Sequence, residues 1–171
     1  MTDPLDGRIG EAWSGDAPNG SHVNVVVARR GSPTAAAAVG ALASPRPGHV
    51  PFLAALEAGV VARPTTVVVN KATIEDERLG RMTWGAAQVG IAQGVLDAVA
   101  DGTLPAADVP ELVLLVAVWV DPAASNERAV RTANREATRA ALADALSPPS
   151  AQDVAALAER REEARNAYFR G

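Results

Sequence analysis

His22 and Asn24 stand two residues apart in the stretch "SHVNVVV", and Lys71 and Thr73 stand two apart in "NKAT". Along a strand, residues i and i+2 point to the same face, so each pair would present its side chains together. If the two strands are neighbours, one face carries an imidazole, a carboxamide, an ammonium and a hydroxyl. Such a set could move a proton on a small bound molecule. An imidazole has an ordinary pKa of about 6.5 and can give or take a proton near neutrality. The other three groups would hold the molecule by hydrogen bonds. Asn70 and Gln88 add further carboxamides, while His49, in the loop "SPRPGHVP", reads as a surface side chain. Spacing alone leaves His22 with two readings: a polar residue at the mouth of a strand, or the proton carrier of a small-molecule site.

Other chemistries find little support. The chain has no cysteine, which removes thiolate nucleophiles, thiolate metal sites and disulfides. It contains no Walker loop, no Gly-x-Gly-x-x-Gly after a strand, no His-Glu-x-x-His and no Gly-x-Ser-x-Gly. With two histidines, one of them in a loop, a histidine-based metal site is not expected. The net charge is −4 and the basic residues form no run longer than a pair, so nucleic acid is not an expected partner. The longest apolar run, "LVLLVAVWV", is far shorter than the roughly 20 residues that span a bilayer. The N-terminal "MTDPLDGRIGEAW" has acidic residues and no apolar core, unlike a signal peptide. A cytoplasmic, soluble protein with no membrane association is the expectation.

The elements that would position these residues follow from pattern. Residues 7–14 read as a first strand, with turn chemistry in "GDAPNGS". Residues 22–29, "HVNVVVAR", alternate and then become continuously apolar, as a mostly buried strand does. Ser32 and Pro33 form an N-cap and first helical position. Residues 44–51 are a loop, and 52–59 fit a short helix or a strand equally. A β-branched strand is predicted over 65–73, a helix over 84–101 closed by Gly102, the most buried strand over 111–120, and an amphipathic helix over 125–146. "SPPS" at 147–150 then separates a charged tail, read as helical. Strands alternating with helices predict one α/β (α+β) domain over residues 1–146, with a tail over 147–171. Aromatic residues are only 4% of the chain, so alanine, valine and leucine must fill the core. Self-association is one way for such a core to bury more area.

Eight segments in series carry a resemblance: "GEAWSGD" (10–16), "SHVNVVV" (21–27), "RGSP" (30–33), "FLAAL" (52–56), "RPTTVVVNKATIED" (63–76), "WGAAQVGIAQGVLDAVADG" (84–102), "LVLLVAVWVDPAAS" (112–125) and "NREATRAAL" (134–142). Together they resemble the formaldehyde-activating enzyme family, the tetrahydromethanopterin hydro-lyases. The resemblance implies a fold related to ribosomal protein S5 domain 2 and a homopentamer with sites between subunits. It implies condensation of formaldehyde with a reduced pterin to methylene-pterin and water, the pterin being a co-substrate and no tightly bound cofactor being required. Its acid histidine falls on His22, and its pterin-contacting positions fall on Asn24, Leu53, Lys71, Thr73 and Gln88.

Two departures accompany the match. The family has aspartate where this chain has Asn24, and histidine where it has Val89. A carboxamide cannot offer a pterin N–H edge the charge-assisted bonds of a carboxylate. Three readings therefore stand: the pterin-dependent hydro-lyase; a condensation, dehydration or cyclisation on another amine or carbonyl compound using the same histidine; and a non-catalytic protein that binds formaldehyde or a pterin.

Overall fold

The valine-rich segments form the middle of a mixed five-stranded sheet in the computed structural model, which describes residues 5–165. The strands are β1 (Arg8–Ser14), β2 (Ser21–Arg29), β3 (Phe52–Leu53), β6 (Thr65–Asn70) and β7 (Leu112–Val120), in the order β1-β2-β7-β6-β3. The β6–β7 pair is parallel and the others antiparallel. Two short strands, β4 (Ala55–Glu57) and β5 (Val60–Val61), pair separately as a hairpin. The region left open between helix and strand, 52–59, thus resolves as two short strands, β3 and β4, with β5 directly after it. The architecture is a single mixed α+β domain, as the alternation predicts.

Helical segments cover one face of the sheet. The crossover from β6 to β7 runs through α2 (Glu77–Gly80), a π-helical stretch (Arg81–Ala87) and α3 (Gln88–Ala100); α4 (Glu127–Leu146) packs beside α3. Ile91, Val95, Val130 and Leu142 meet Val23, Val25, Val116 and Val118 in the main core. Helix starts earlier than predicted: Asp76 caps α2 by accepting from the Leu79 amide at 2.6 Å. The π stretch shifts the side-chain register, which conceals these first turns from a 3.6-residue pattern. The contact between α3 and α4 is close enough to exclude side chains. A Cβ on Gly90 would lie 2.3 Å from the Arg131 carbonyl oxygen, and one on Gly94 would lie 2.6 Å from that of Arg135.

The other face is covered only in part. Short helix α1 (Pro33–Gly40) lies against β2 and β7. Ala28, Val67, Val113, Ala35 and Ala38 are buried yet stand apart from the main core. Asp6 fixes the turn into α1, accepting from the Arg29 amide (2.8 Å), Ser32 Oγ (2.7 Å) and Thr34 Oγ1 (3.2 Å). Those donors, the Arg29 amide first, hold its carboxyl below the usual range. Beyond α1 the face is open, and there Ile9 and Trp13 are exposed. The tail forms α5 (Ala151–Glu159), capped by a Ser150–Asp153 box, and every residue of it is exposed. The part of the predicted tail helix beyond residue 165 lies outside the described residues.

Candidate active site

Strand parity places the site on the open half of that second face. The register pairs His22 with Trp13 on one side and Trp119 on the other, and Asn24 with Glu11 and Ala117. Two rows of side chains therefore cross the sheet next to each other. The strands bearing His22 and Lys71 are not neighbours, because β7 runs between them. Nor do Lys71 and Thr73 share a strand end: β6 stops at Asn70, and Lys71 makes one last ladder bond, to the Val118 carbonyl at 2.8 Å.

Lys71 nonetheless reaches across. Its Nζ lies 2.9 Å from His22 Nδ1 and donates to Asn24 Oδ1 at 2.6 Å. Two strand spacings are about 10 Å, which a lysine can bridge from one side only if the strand between offers no bulk. Ala117 supplies that gap in β7. On its far side, His22 Nε2 is hydrogen-bonded to the Glu11 carboxylate. Trp13 stacks on the imidazole with ring centroids 4.4 Å apart and planes 9° from parallel, and Trp119 tilts against Trp13 at 5.5 Å. The ring is thus clamped in orientation by two polar partners and one aromatic face.

The bond pattern allows two proton arrangements. If Lys71 is an ammonium, it donates to Nδ1, and the imidazole carries its hydrogen on Nε2 and donates to Glu11. If the ring is protonated, Nδ1–H donates to a neutral Lys71. Burial lowers the Lys71 pKa below its ordinary value, partly offset by the Glu11 charge. Lys71 Nζ and His22 Nδ1 are within hydrogen-bond reach of each other, so a proton can pass between them. Glu11 is the exposed end of the chain of bonds: its side chain is 56% exposed against 22% for His22. Substrate would approach from there.

The remaining candidates divide. Thr73 Oγ1 is hydrogen-bonded to His49 Nε2 at 3.1 Å, and His49 Nδ1 lies 3.0 Å from the Asn70 carbonyl oxygen. His49 is half-buried and held in place, not the free surface side chain its loop suggests. Asn70 is buried and fastens the same loop by donating to the Gly48 and Ala72 carbonyls. Leu53 pairs with Val67 and shares the site's face, four strand positions from Lys71, or roughly 13 Å. Gln88 begins α3, in the layer covering the opposite face, and bonds to none of His22, Asn24, Lys71 or Thr73. Val89 lines a separate hollow with Arg81 and Arg128. Sequence reasoning passed over Glu11, Trp13 and Trp119. Glu11 and Trp13 alternate in a predicted strand one tight turn before His22, and a hairpin register would have exposed them.

A mixed α+β domain that turns an imidazole, an amine and a carboxylate toward an open sheet face has the groups that acid–base chemistry on a small molecule needs. The sequence profile described as "Formaldehyde-activating enzyme (Fae)" matches residues 9–168. The chain is 38% identical to the 5,6,7,8-tetrahydromethanopterin hydro-lyase of Methanosarcina barkeri over 142 residues, which cover 83% of this chain and 80% of that one. It is also 33% identical to the bifunctional enzyme Fae/Hps of Archaeoglobus fulgidus, over 83% of this chain and 36% of the relative. The Methanosphaera stadtmanae enzyme of that name is 32% identical over 90% of this chain and 38% of its own length. This chain belongs to the formaldehyde-activating enzyme family and is a hydro-lyase.

Proposed function

We propose that the enzyme condenses formaldehyde with a reduced, tetrahydromethanopterin-like pterin, releasing water, with His22 as the general acid. The observation that carries this reading is the hydrogen-bonded chain Glu11–His22–Lys71–Asn24 on an open face. Formaldehyde and an amine nitrogen form a carbinolamine, and breaking its C–O bond requires a proton on the departing oxygen. In this reading His22 delivers it and the Lys71 amine, in contact with Nδ1, replaces it; such acid catalysis contributes about 10²–10⁴-fold. Trp13 and the apolar floor of Ala117 and Val69 suit the ring of a flat heterocycle, Lys71 and Thr73 suit its polar edge, and Leu53 suits its far end.

Stopped-flow absorbance with formaldehyde and tetrahydromethanopterin tests the reading. Methylene-pterin formation faster than the spontaneous reaction is expected, and a rate equal to it at high enzyme rejects the reading. A second reading, an acceptor amine other than this pterin, is favoured by Asn24. Its Oδ1 is occupied by Lys71, so it turns N–H donors outward where a carboxylate would accept. An acceptor screen separates the two: a better substrate than the pterin favours the second.

The resemblance further suggests a cytoplasmic homopentamer, and exposed Ile9, Trp13 and Trp84 are consistent with subunit contacts. Among the described residues no helix is long and apolar enough to cross a membrane. Light scattering at micromolar concentration should show the pentamer, and a monomer there contradicts it.

A further inference from the structure

Lys71 is the only lysine in the chain; every other basic side chain is arginine. The two differ in one respect that matters here: an arginine cannot shed its proton in a protein, whereas a lysine amine can, and then becomes a nucleophile. The single lysine is half-buried, and its Nζ lies 2.9 Å from an imidazole whose far nitrogen is bonded to a carboxylate. A nucleophile, a base within hydrogen-bond reach and a third group orienting the base form the constellation of covalent catalysis. The oxygen in contact with Nζ is the neutral one of Asn24, at 2.6 Å, and the Glu11 charge acts only from beyond His22. The titratable groups facing Nζ are His22 and, behind it, Glu11; His49 is engaged with Asn70 and Thr73. Burial acts in the same direction, lowering the proton affinity of the amine.

We infer that Lys71 captures formaldehyde covalently, before transfer to the acceptor amine. This rests on the formaldehyde reading above. Nζ first passes one ammonium proton to Nδ1 of His22; its lone pair then forms a bond to the carbonyl carbon as the C=O π bond breaks, and the oxygen takes that proton from Nδ1, giving a carbinolamine. Nδ1 of His22 takes the surplus Nζ proton, Glu11 stabilising the imidazolium through Nε2. The same Nδ1 returns the proton to the hydroxyl, which leaves as water as the C–O bond breaks and a methylene iminium forms at Nζ. The acceptor nitrogen then bonds to the methylene carbon and gives its own proton to Nδ1 of His22, which passes it to Nζ as the Nζ–C bond breaks; the methylene stays on the acceptor, and closure by the acceptor's second N–H releases the proton that recharges Nζ. Nothing is oxidised or reduced.

Cyanoborohydride trapping tests this, because reduction of the iminium leaves a methyl group on Nζ. The α-amino group is an internal reference: its ordinary pKa is about 8 against about 10.4 for lysine, so an ordinary lysine is labelled more slowly at pH 7. With isotopic formaldehyde and peptide mass spectrometry, Lys71 should be labelled at least about tenfold faster than the α-amine. His22→Ala should abolish that preference. Asn24→Asp, which gives Nζ a counter-charge, should move its onset to higher pH. Folded Lys71→Arg, which keeps the charge, should lose at least about a hundredfold in kcat for methylene-pterin formation. If the wild type condenses formaldehyde with the pterin but Lys71→Arg keeps its kcat, covalent capture is overturned and the formaldehyde–pterin reading stands. If the wild type forms no methylene-pterin, that reading fails, and labelling at Lys71 no faster than at the α-amine overturns capture as well.

Discussion

At the scale of single residues, His22 is constrained on three sides, and each constraint has its own test. Glu11→Gln keeps the size of the partner but removes the charge that supports the imidazolium. Its kcat should fall at least about tenfold with the fold intact, by analogy with the orienting carboxylate of hydrolase triads; an unchanged kcat would show that the bond to Nε2 is incidental. Lys71 carries a linkage argument with a definite sign. Its folded pKa is lowered, so folding disfavours the ammonium. That cost is full below the folded pKa and is relieved as pH rises toward the ordinary lysine value. Lys71→Met should therefore leave the Tm at pH 7 unchanged or raised while activity is lost, and a clear drop in Tm would contradict this. His22 and Asn24 were legible because period-2 spacing puts them on one strand face; Lys71 and Thr73 were paired by the same rule, but β6 stops at Asn70 and Thr73 bonds to His49 instead. Glu11 was not legible, because a lone acidic residue on a predicted strand carries no signal until its hairpin partner is known. His49 escaped for a similar reason: its bonds to Asn70 and Thr73 close a loop over 20 residues long, and no local pattern encodes that.

At the scale of elements, the site depends on a small residue in a strand that contributes no chemistry. Ala117 lies in β7 between Val69 and Asn24, its partners in one cross-strand row. Ala117→Leu should displace the Lys71 side chain and lower activity by more than tenfold, an effect that crystallography of the variant would display directly. The helix layer has a comparable dependence on Gly90, whose Cβ position falls on the Arg131 carbonyl. Gly90→Ala should destabilise the fold by about 1–3 kcal/mol, the usual cost of overpacking, as read from chemical denaturation. The central strands and α4 were predicted nearly to their ends, because β-branched runs and an amphipathic stripe are strong local signals. The segments that were not, Phe52–Val61 and the turns before Trp84, are short strands stabilised by partners distant in sequence and a π stretch that breaks helical period. Neither leaves a repeating pattern, and the crossing of β7 between the two site strands is a matter of topology alone.

At the scale of the molecule, the sheet is covered by helices on one face and left half open on the other, and the open half carries the candidate site. Stability should show an acid limit set elsewhere. Asp6, Asp76, Asp97 and Asp101 all have lowered pKa values, from hydrogen bonds to Arg29, Leu79, Arg135 and Thr103 respectively. Their contributions are fully present above the ordinary carboxylate pKa of about 4 and are lost as pH falls below it. The Tm should hold steady from pH 8 to 5 and fall below about pH 4; a Tm that rises on acidification would contradict this. The central claim is that His22, held between Glu11 and Lys71, supplies the proton that lets water leave. Single-turnover formation of methylene-pterin by wild type and by folded His22→Ala measures it most directly. Loss of about 10²–10⁴-fold in the variant is the expected result, and equal rates in the two proteins would contradict the account.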